Sequence, residues 1–290
     1  MTMPVRRRSG RHAGNRAATW LRRPAGRLTV VGVLTLGVVV TVTPANGAAT
    51  DIASHVANAF RGIVSNSETA QAFPGTPAVG ALFTSAQGKL GSHFCTASVV
   101  HSPQGNLGIT AAHCVTGLSG TIVFVPGYRS GTRPYGVWTV SKIYIDHAWT
   151  SGSSQNDDVA FIRLTPQTGS GSGSGGPIEN VTGAETLATK SATKEMVEVI
   201  GYPDSSEVPV ACRNWTSQPM SGQLEFDCGG YTDGTSGGPF LADVAPGTGQ
   251  GVVVGVIGGY NQGGFTPDVS YSSQFGDNVA SLYATAIAGG

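Results

Sequence analysis

Short runs of apolar and β-branched residues, separated by Gly, Ser, Pro and Asn, cover most of this chain. Residues 78–84 (AVGALFT), 93–101 (HFCTASVVH), 107–114 (LGITAAHC), 120–127 (GTIVFVPG), 136–145 (GVWTVSKIYI) and 158–164 (DVAFIRL) have this form. Valine, isoleucine, threonine and aromatic side chains suit a pleated, half-buried surface, and turn residues at both ends mark each run as a strand. The pattern predicts about six strands, the last ending at Leu164. A second set follows at 196–203 (MVEVIGYP), between Cys212 and Cys228, and at 239–244, 251–260 and 268–273. Between the sets lies TGSGSGSGGP, residues 168–177, a flexible spacer by composition. Helical spacing appears only at the C-terminus, where Phe275, Val279, Leu282, Tyr283 and Ala286 share one face.

These elements predict an all-β protein of two packed units with a short C-terminal helix. The expected boundaries are an N-terminal β-barrel over 76–166, a Gly/Ser linker over 167–178 and a C-terminal β-barrel over 179–290. No internal repeat is visible. Residues 50–75 are weakly patterned and read as a pro-segment or an N-terminal arm.

Charge changes the picture at the N-terminus. Residues 1–27 hold eight arginines and no acid, followed by the apolar run Leu28–Val42 and the small-residue stretch TPANGAAT. That order describes a secretory signal peptide over residues 1–49. The apolar run is shorter than the roughly 20 residues of a membrane span. Of 17 basic and 17 acidic residues, nine basic ones (17 − 8) remain beyond the signal, a net charge of −8 (9 − 17). An acidic, exported body argues against nucleic acid or a stable membrane association as its partner. It is expected to be secreted, extracellular and monomeric.

All four cysteines, Cys95, Cys114, Cys212 and Cys228, lie in the exported part. An even number in an oxidising compartment reads as disulfides. Of the three possible pairings, the local one, Cys95–Cys114 with Cys212–Cys228, brackets a hairpin-like stretch each time. No Cys-x-x-Cys occurs, and His113 directly beside Cys114 is poor spacing for zinc. No metal or other cofactor is expected.

GITAAHCV, residues 108–115, places His113 at the end of an apolar run. DGTSGGP, residues 233–239, places Ser236 in a glycine-rich turn. Glycines let a chain turn sharply and aim consecutive N–H groups at one point. Acyl transfer requires that arrangement, a serine beside donors that hold an oxyanion. No histidine follows Ser236, which excludes the Ser–acid–His order of α/β-hydrolases. A subtilisin-like order would need an acid before His113, where only Asp51 and Glu68 stand, both in the unpatterned arm. The remaining candidates open the strand NDDVAFIRL. Adjacent strand residues face opposite ways, so one of Asp157 and Asp158 can serve, and Asp158 directly precedes the apolar run.

TAAHC, DDVAFIRL and GTSGGP, in the order His, Asp, Ser, resemble the chymotrypsin/trypsin-like serine proteases over roughly residues 76–287. VIGYP and the short loops are similar to bacterial secreted members such as the glutamyl endopeptidase (V8-like) relatives. The resemblance implies two antiparallel six-stranded barrels and a Cys95–Cys114 disulfide beside the catalytic histidine. It implies His113 as base, Asp158 as its partner and Ser236 as nucleophile, with Gly234 and Ser236 N–H groups as the oxyanion hole. It places the substrate pocket at Gly230, Tyr231, Gly258, Gly259 and Tyr260, with no acid at its floor, which favours an apolar or aromatic residue before the cleaved bond. The expected substrates are proteins or peptides, and the expected activity is that of a serine endopeptidase. A catalytically silent binding module on the same fold, or a secreted esterase, are the alternatives. Two departures stand out: Thr235 occupies the position before the serine where the family usually has Asp, and no IVGG-like start precedes the first strand.

Overall fold

The structure, a computed structural model, describes residues 68–166 and 176–289. The expected signal peptide, most of the N-terminal arm and most of the Gly/Ser linker lie outside the described residues.

Strands β1 (Gln71–Ala72), β2 (Val79–Ala86), β3 (Lys89–Val100), β4 (Leu107–Thr110), β5 (Thr121–Pro126), β6 (Trp138–Ile145) and β7 (Ala160–Pro166) come first. Strands β8 (Thr186–Leu187), β9 (Met196–Gly201), β10 (Val210–Met220), β11 (Gln223–Asp227), β12 (Pro239–Ala242), β13 (Val252–Val256) and β14 (Val269–Ser273) follow. Three α-helices stand among the described residues: α1 (His147–Gly152), α2 (Glu179–Thr182) and α3 (Asp277–Ala288).

The first barrel closes in the order β2-β3-β4-β7-β6-β5, every neighbouring pair antiparallel. Closure removes free sheet edges. In the second sheet the antiparallel order is β14-β11-β10-β9-β12-β13. Its ends meet where the Gly258 N–H donates to the Tyr271 carbonyl at 2.9 Å and the Val256 N–H to Ser272 Oγ at 3.0 Å. Numbered within each set, both rings read 1-2-3-6-5-4. The chain therefore uses one topology twice, a repeat that leaves no trace in the residues because only the burial pattern is shared. Strand β8 adds to β13 in parallel, and β1 adds to β10.

The alternation read from the sequence shows in the burial. Leu82, Phe124, Trp138, Ile162 and Leu164 fill one cluster inside the first barrel, and Val197, Val199, Phe226 and Phe240 fill another in the second. A third cluster spans both, joining Val79, Ile109 and Phe161 to Ile200, Leu241 and Val256. Helix α3 lies on the first barrel through Val279, Leu282 and Ala286. Arg163 on β7 donates to the carbonyls of Ala286 and Gly289, placing a cation at the negative end of the helix.

The N-terminal residues are tied down. Gln71 and Ala72 pair with Ala211 and Val210, and the Ala70 N–H donates to the Gly229 carbonyl at 2.8 Å.

Candidate active site

Strand β4 ends at Thr110, and buried Ala111 and Ala112 lead into a tight turn that carries His113. Two small residues fit there because the turn lies against both barrels. The turn is fixed twice. Cys114 is bonded to Cys95 of β3, and Thr116 Oγ1 donates to the Ala112 carbonyl at 2.6 Å. The second disulfide joins Cys212 to Cys228.

Asp158 follows a short 3-10 turn, Gln155–Asp157, and is fully buried. Its Oδ2 accepts from His113 Nδ1 at 2.7 Å and from the Gly259 N–H at 2.9 Å, and its Oδ1 accepts from the His113 N–H at 2.9 Å. A buried carboxylate is tolerable when its lone pairs meet donors, and three donors meet this one. With Nδ1–H donating to Asp158, the lone pair of the neutral imidazole is at Nε2. Gly258 backs the same carboxylate, its Cβ position 3.0 Å from Oδ2. Asp157 points elsewhere, accepting from Asn278 Nδ2 at 2.9 Å and Ser154 Oγ at 2.6 Å.

Ser236 lies in the turn before β12. Gly237, at φ +79°, lets this turn approach the first barrel, since a Cβ there would sit 2.1 Å from Thr110 Oγ1 and 2.3 Å from the Thr96 carbonyl. The backbone groups of the turn can be accounted for one by one. The carbonyls of Asp233, Gly234, Thr235 and Ser236 accept from the Asp204 N–H, Thr96 Oγ1, the Gly238 N–H and the Thr96 N–H at 2.8, 3.0, 2.9 and 2.7 Å. The N–H groups of Thr235, Gly237 and Gly238 donate to Thr232, Ile257 and Thr235 carbonyls. The N–H groups of Asp233, Gly234 and Ser236 have no acceptor among the described residues. These peptides are trans, so each N–H points opposite to its pinned carbonyl.

His113 and Ser236 line one cavity of about 390 Å³ together with Phe94, Leu118 and Gly234. No hydrogen bond joins them, and His113 Nε2 lies 3.7 Å from Cys114 Sγ. Both cysteine sulfurs beside His113 are committed to the disulfide and offer no thiolate to a metal.

A second cavity of about 280 Å³ is also lined by Ser236. Tyr231 and Ile257 line it, with Phe265 and Pro267 from the segment that leads into β14 and Ser270 from β14 itself. Of the five residues read from the sequence as pocket lining, Tyr231 is there, while Gly230, Gly258, Gly259 and Tyr260 line neither this cavity nor the one containing His113. Gly230 instead faces Ala70, and the Tyr260 N–H donates to Gln223 Oε1. The segment 262–270 carries no motif that could have announced it. Asp233 is the only acid on the lining and is exposed. Tyr231 is kept neutral by burial, which pushes its hydroxyl above the usual phenol range. Thr235, beside the serine, is buried and donates to the Thr232 carbonyl at 2.7 Å.

A family model described as trypsin matches residues 65–275. No curated protein matches the sequence. Among solved structures, the protease Anisep from Arthrobacter nicotinovorans is similar at 23% identity and a TM-score of 0.63, over 76% of this chain and 100% of that one. The thermostable serine protease AL20 from an extremophilic microorganism is similar at 25% identity and a TM-score of 0.61, over 74% and 99%. A Glu endopeptidase matches at 16% identity and a TM-score of 0.57, over 77% and 98%, a likeness of fold.

Proposed function

This chain belongs to the trypsin family, and from that membership we propose that it is a secreted serine endopeptidase working through His113, Asp158 and Ser236. The observation that carries this reading is a convergence. A histidine held by a buried carboxylate shares a cavity with a serine whose own N–H, like that of Gly234, has no acceptor among the described residues.

Ser236 Oγ attacks the substrate carbonyl, and its proton passes to His113 Nε2. In free enzymes such contacts are often long and tighten when substrate binds. The tetrahedral oxyanion forms against the Gly234 and Ser236 N–H groups. Its collapse breaks the C–N bond, and the leaving amine takes the proton from His113. Water then attacks the acyl-serine, gives its proton to His113 and releases the acid, while the Ser236 oxygen recovers the proton. Asp158 fixes the ring and stabilises the imidazolium without taking the proton itself.

The cavity beside Ser236 favours an uncharged, apolar or aromatic residue before the scissile bond. Ile257, Phe265, Pro267 and the Tyr231 ring supply apolar surface, and Asp233 is at its exposed side. The arginine-rich N-terminus, the disulfides and the acidic body support export and action as an extracellular monomer on protein substrates. Among the described residues no helix is long and apolar enough to cross a membrane.

Casein digestion measured beside short-chain ester hydrolysis tests the reading, with Ser236→Ala as the blank. Casein cleavage lost in the variant supports an endopeptidase. Ester hydrolysis without casein cleavage would replace it with the esterase, and neither activity would favour the silent binding module.

A further inference from the structure

We propose that Thr96, on β3 of the first barrel, is a positioning residue for the oxyanion hole in the second barrel. This inference rests on the endopeptidase reading. Thr96 is fully buried. Its hydroxyl donates to the Gly234 carbonyl at 3.0 Å and accepts from the Tyr202 N–H at 2.9 Å. Its own N–H donates to the Ser236 carbonyl at 2.7 Å.

Each of these bonds falls where it matters. The peptides 234–235 and 236–237 flank the peptide 235–236, whose N–H is one oxyanion donor. Thr96 holds the carbonyls of both flanking peptides, two of the four pinned carbonyls in the turn. The other donor, the Gly234 N–H, is aimed by the Asp204 N–H gripping the Asp233 carbonyl at 2.8 Å. Tyr202, two residues before Asp204, is tied to the Thr96 hydroxyl. One side chain thus links the serine turn to the loop that orients its first donor. Strand β3 is a stable anchor because it pairs on both sides, with β2 and β4, and carries Cys95 of the first disulfide.

Donors that hold a transition-state oxyanion act through being fixed before the charge forms. Loss of the Thr96 hydroxyl leaves the Gly234 carbonyl and the Tyr202 N–H without a partner among the described residues, and peptide 234–235 is then held on one side only, through the Thr235 N–H. The cost should fall on the transition state and spare substrate binding.

The test compares Thr96→Val, nearly isosteric and without a hydroxyl, with Thr96→Ser, which keeps both side-chain bonds. Ser191→Ala serves as control, because buried Ser191 makes the same kind of pair, donating to the Val254 carbonyl and accepting from the Phe275 N–H, yet lines neither cavity beside Ser236. Peptide cleavage is measured per titrated active site, together with affinity for a peptide aldehyde, whose hemiacetal oxygen occupies the oxyanion position. In Thr96→Val, kcat should fall about 10- to 100-fold with KM within about twofold, and aldehyde affinity should fall in parallel. Thr96→Ser should recover both, and Ser191→Ala should change neither.

A folded Thr96→Val protein with kcat and aldehyde affinity near wild type would overturn the proposal, as would equal losses in Ser191→Ala. If the valine variant does not fold, Thr96→Cys, of similar size with a weak sulfur donor, is judged by the same criteria. A wild-type protein that neither cleaves peptides nor binds the aldehyde would sink the endopeptidase reading and this inference with it. An active wild type with an indifferent Thr96 sinks this inference alone.

Discussion

Asp157 and Asp158 are chemical twins one bond apart, and the fold treats them oppositely. Asp158 is buried with three donors on it, while Asp157 caps Ser154 and Asn278 at the edge of the molecule. Asp158→Asn should therefore cost about 10⁴ in kcat by removing the acceptor that sets the imidazole tautomer. Asp157→Asn, measured in the same assay, should cost little, and the reverse ranking would contradict the assignment. The short motifs around His113, Asp158 and Ser236 could be read because each is contiguous in the chain; the structure puts His113 on Asp158 and lines one cavity with His113 and Ser236. Thr96 could not be read this way, since its partners lie more than a hundred residues away and a buried threonine on a strand is ordinary.

Glu185 ties stability to pH. It is fully buried, its Oε2 accepts from the Gly251 N–H at 2.6 Å and its Oε1 has no partner among the described residues, so burial raises its pKa from 4.5 to about 7. The folded state then holds a proton that the unfolded chain loses. The contribution is fully present below about pH 4.5, declines as pH rises through about 7, and amounts to about 3 kcal/mol. Urea unfolding at pH 5 and pH 8 should show that decline in wild type and a smaller one in Glu185→Gln. Equal declines in both proteins would contradict the buried-carboxyl account.

Among the elements, the disulfides are the first to separate stability from activity. Cys95–Cys114 and Cys212–Cys228 span 19 and 16 residues, so each should contribute about 3 kcal/mol by restricting the unfolded chain. Replacing Cys95 and Cys114 by alanine should also lower kcat, because Cys114 adjoins His113, whereas the Cys212/Cys228 pair should lower stability alone. Equal kcat losses in the two double variants would mean that the staple does not position His113.

The N-terminal arm supplies a contrasting case. In trypsin-like zymogens a freed amine pairs with the Asp before the nucleophile, but here Thr235 is buried on the Thr232 carbonyl. The hydrogen bonds on carbonyls 233–236 already shape the turn. Chains beginning at Thr50, Asn58 or Ser67 should have similar kcat, and a chain beginning at Pro74 should be less stable for lack of β1. Activity confined to one start, and abolished by acetylating that amine, would contradict this. The long strands were readable from alternation alone. The two-residue strands β1 and β8 and the short helices α1 and α2 were not, because two to six residues carry no period and tertiary contacts alone place them.

At the scale of the whole molecule, the two barrels divide the labour. The first supplies His113, Asp158 and Thr96, the second supplies Ser236 and the second cavity, and the shared apolar cluster holds them in register. The sequence showed two β units with a spacer, and the family likeness turned them into barrels. It could not show that both use one topology, since strand order is a property of pairing and not of composition. The pocket lining fared worst, because residues 262–270 reach Ser236 only through the packing of β14 against β11 and β13. A peptide library should accordingly show cleavage after apolar or aromatic residues, and strong cleavage after Arg or Lys would mean that exposed Asp233, and not the apolar surface of Ile257, Phe265 and Pro267, sets the preference.

If His113 activates Ser236, the serine reacts with a phosphonylating probe and no other hydroxyl does. The direct measurement is peptide mapping by mass spectrometry after the folded, processed protein is treated with a fluorophosphonate. The account predicts a single stoichiometric adduct on Ser236, lost in His113→Ala. Folded protein that takes up no label at Ser236, or labels equally well without His113, would contradict it.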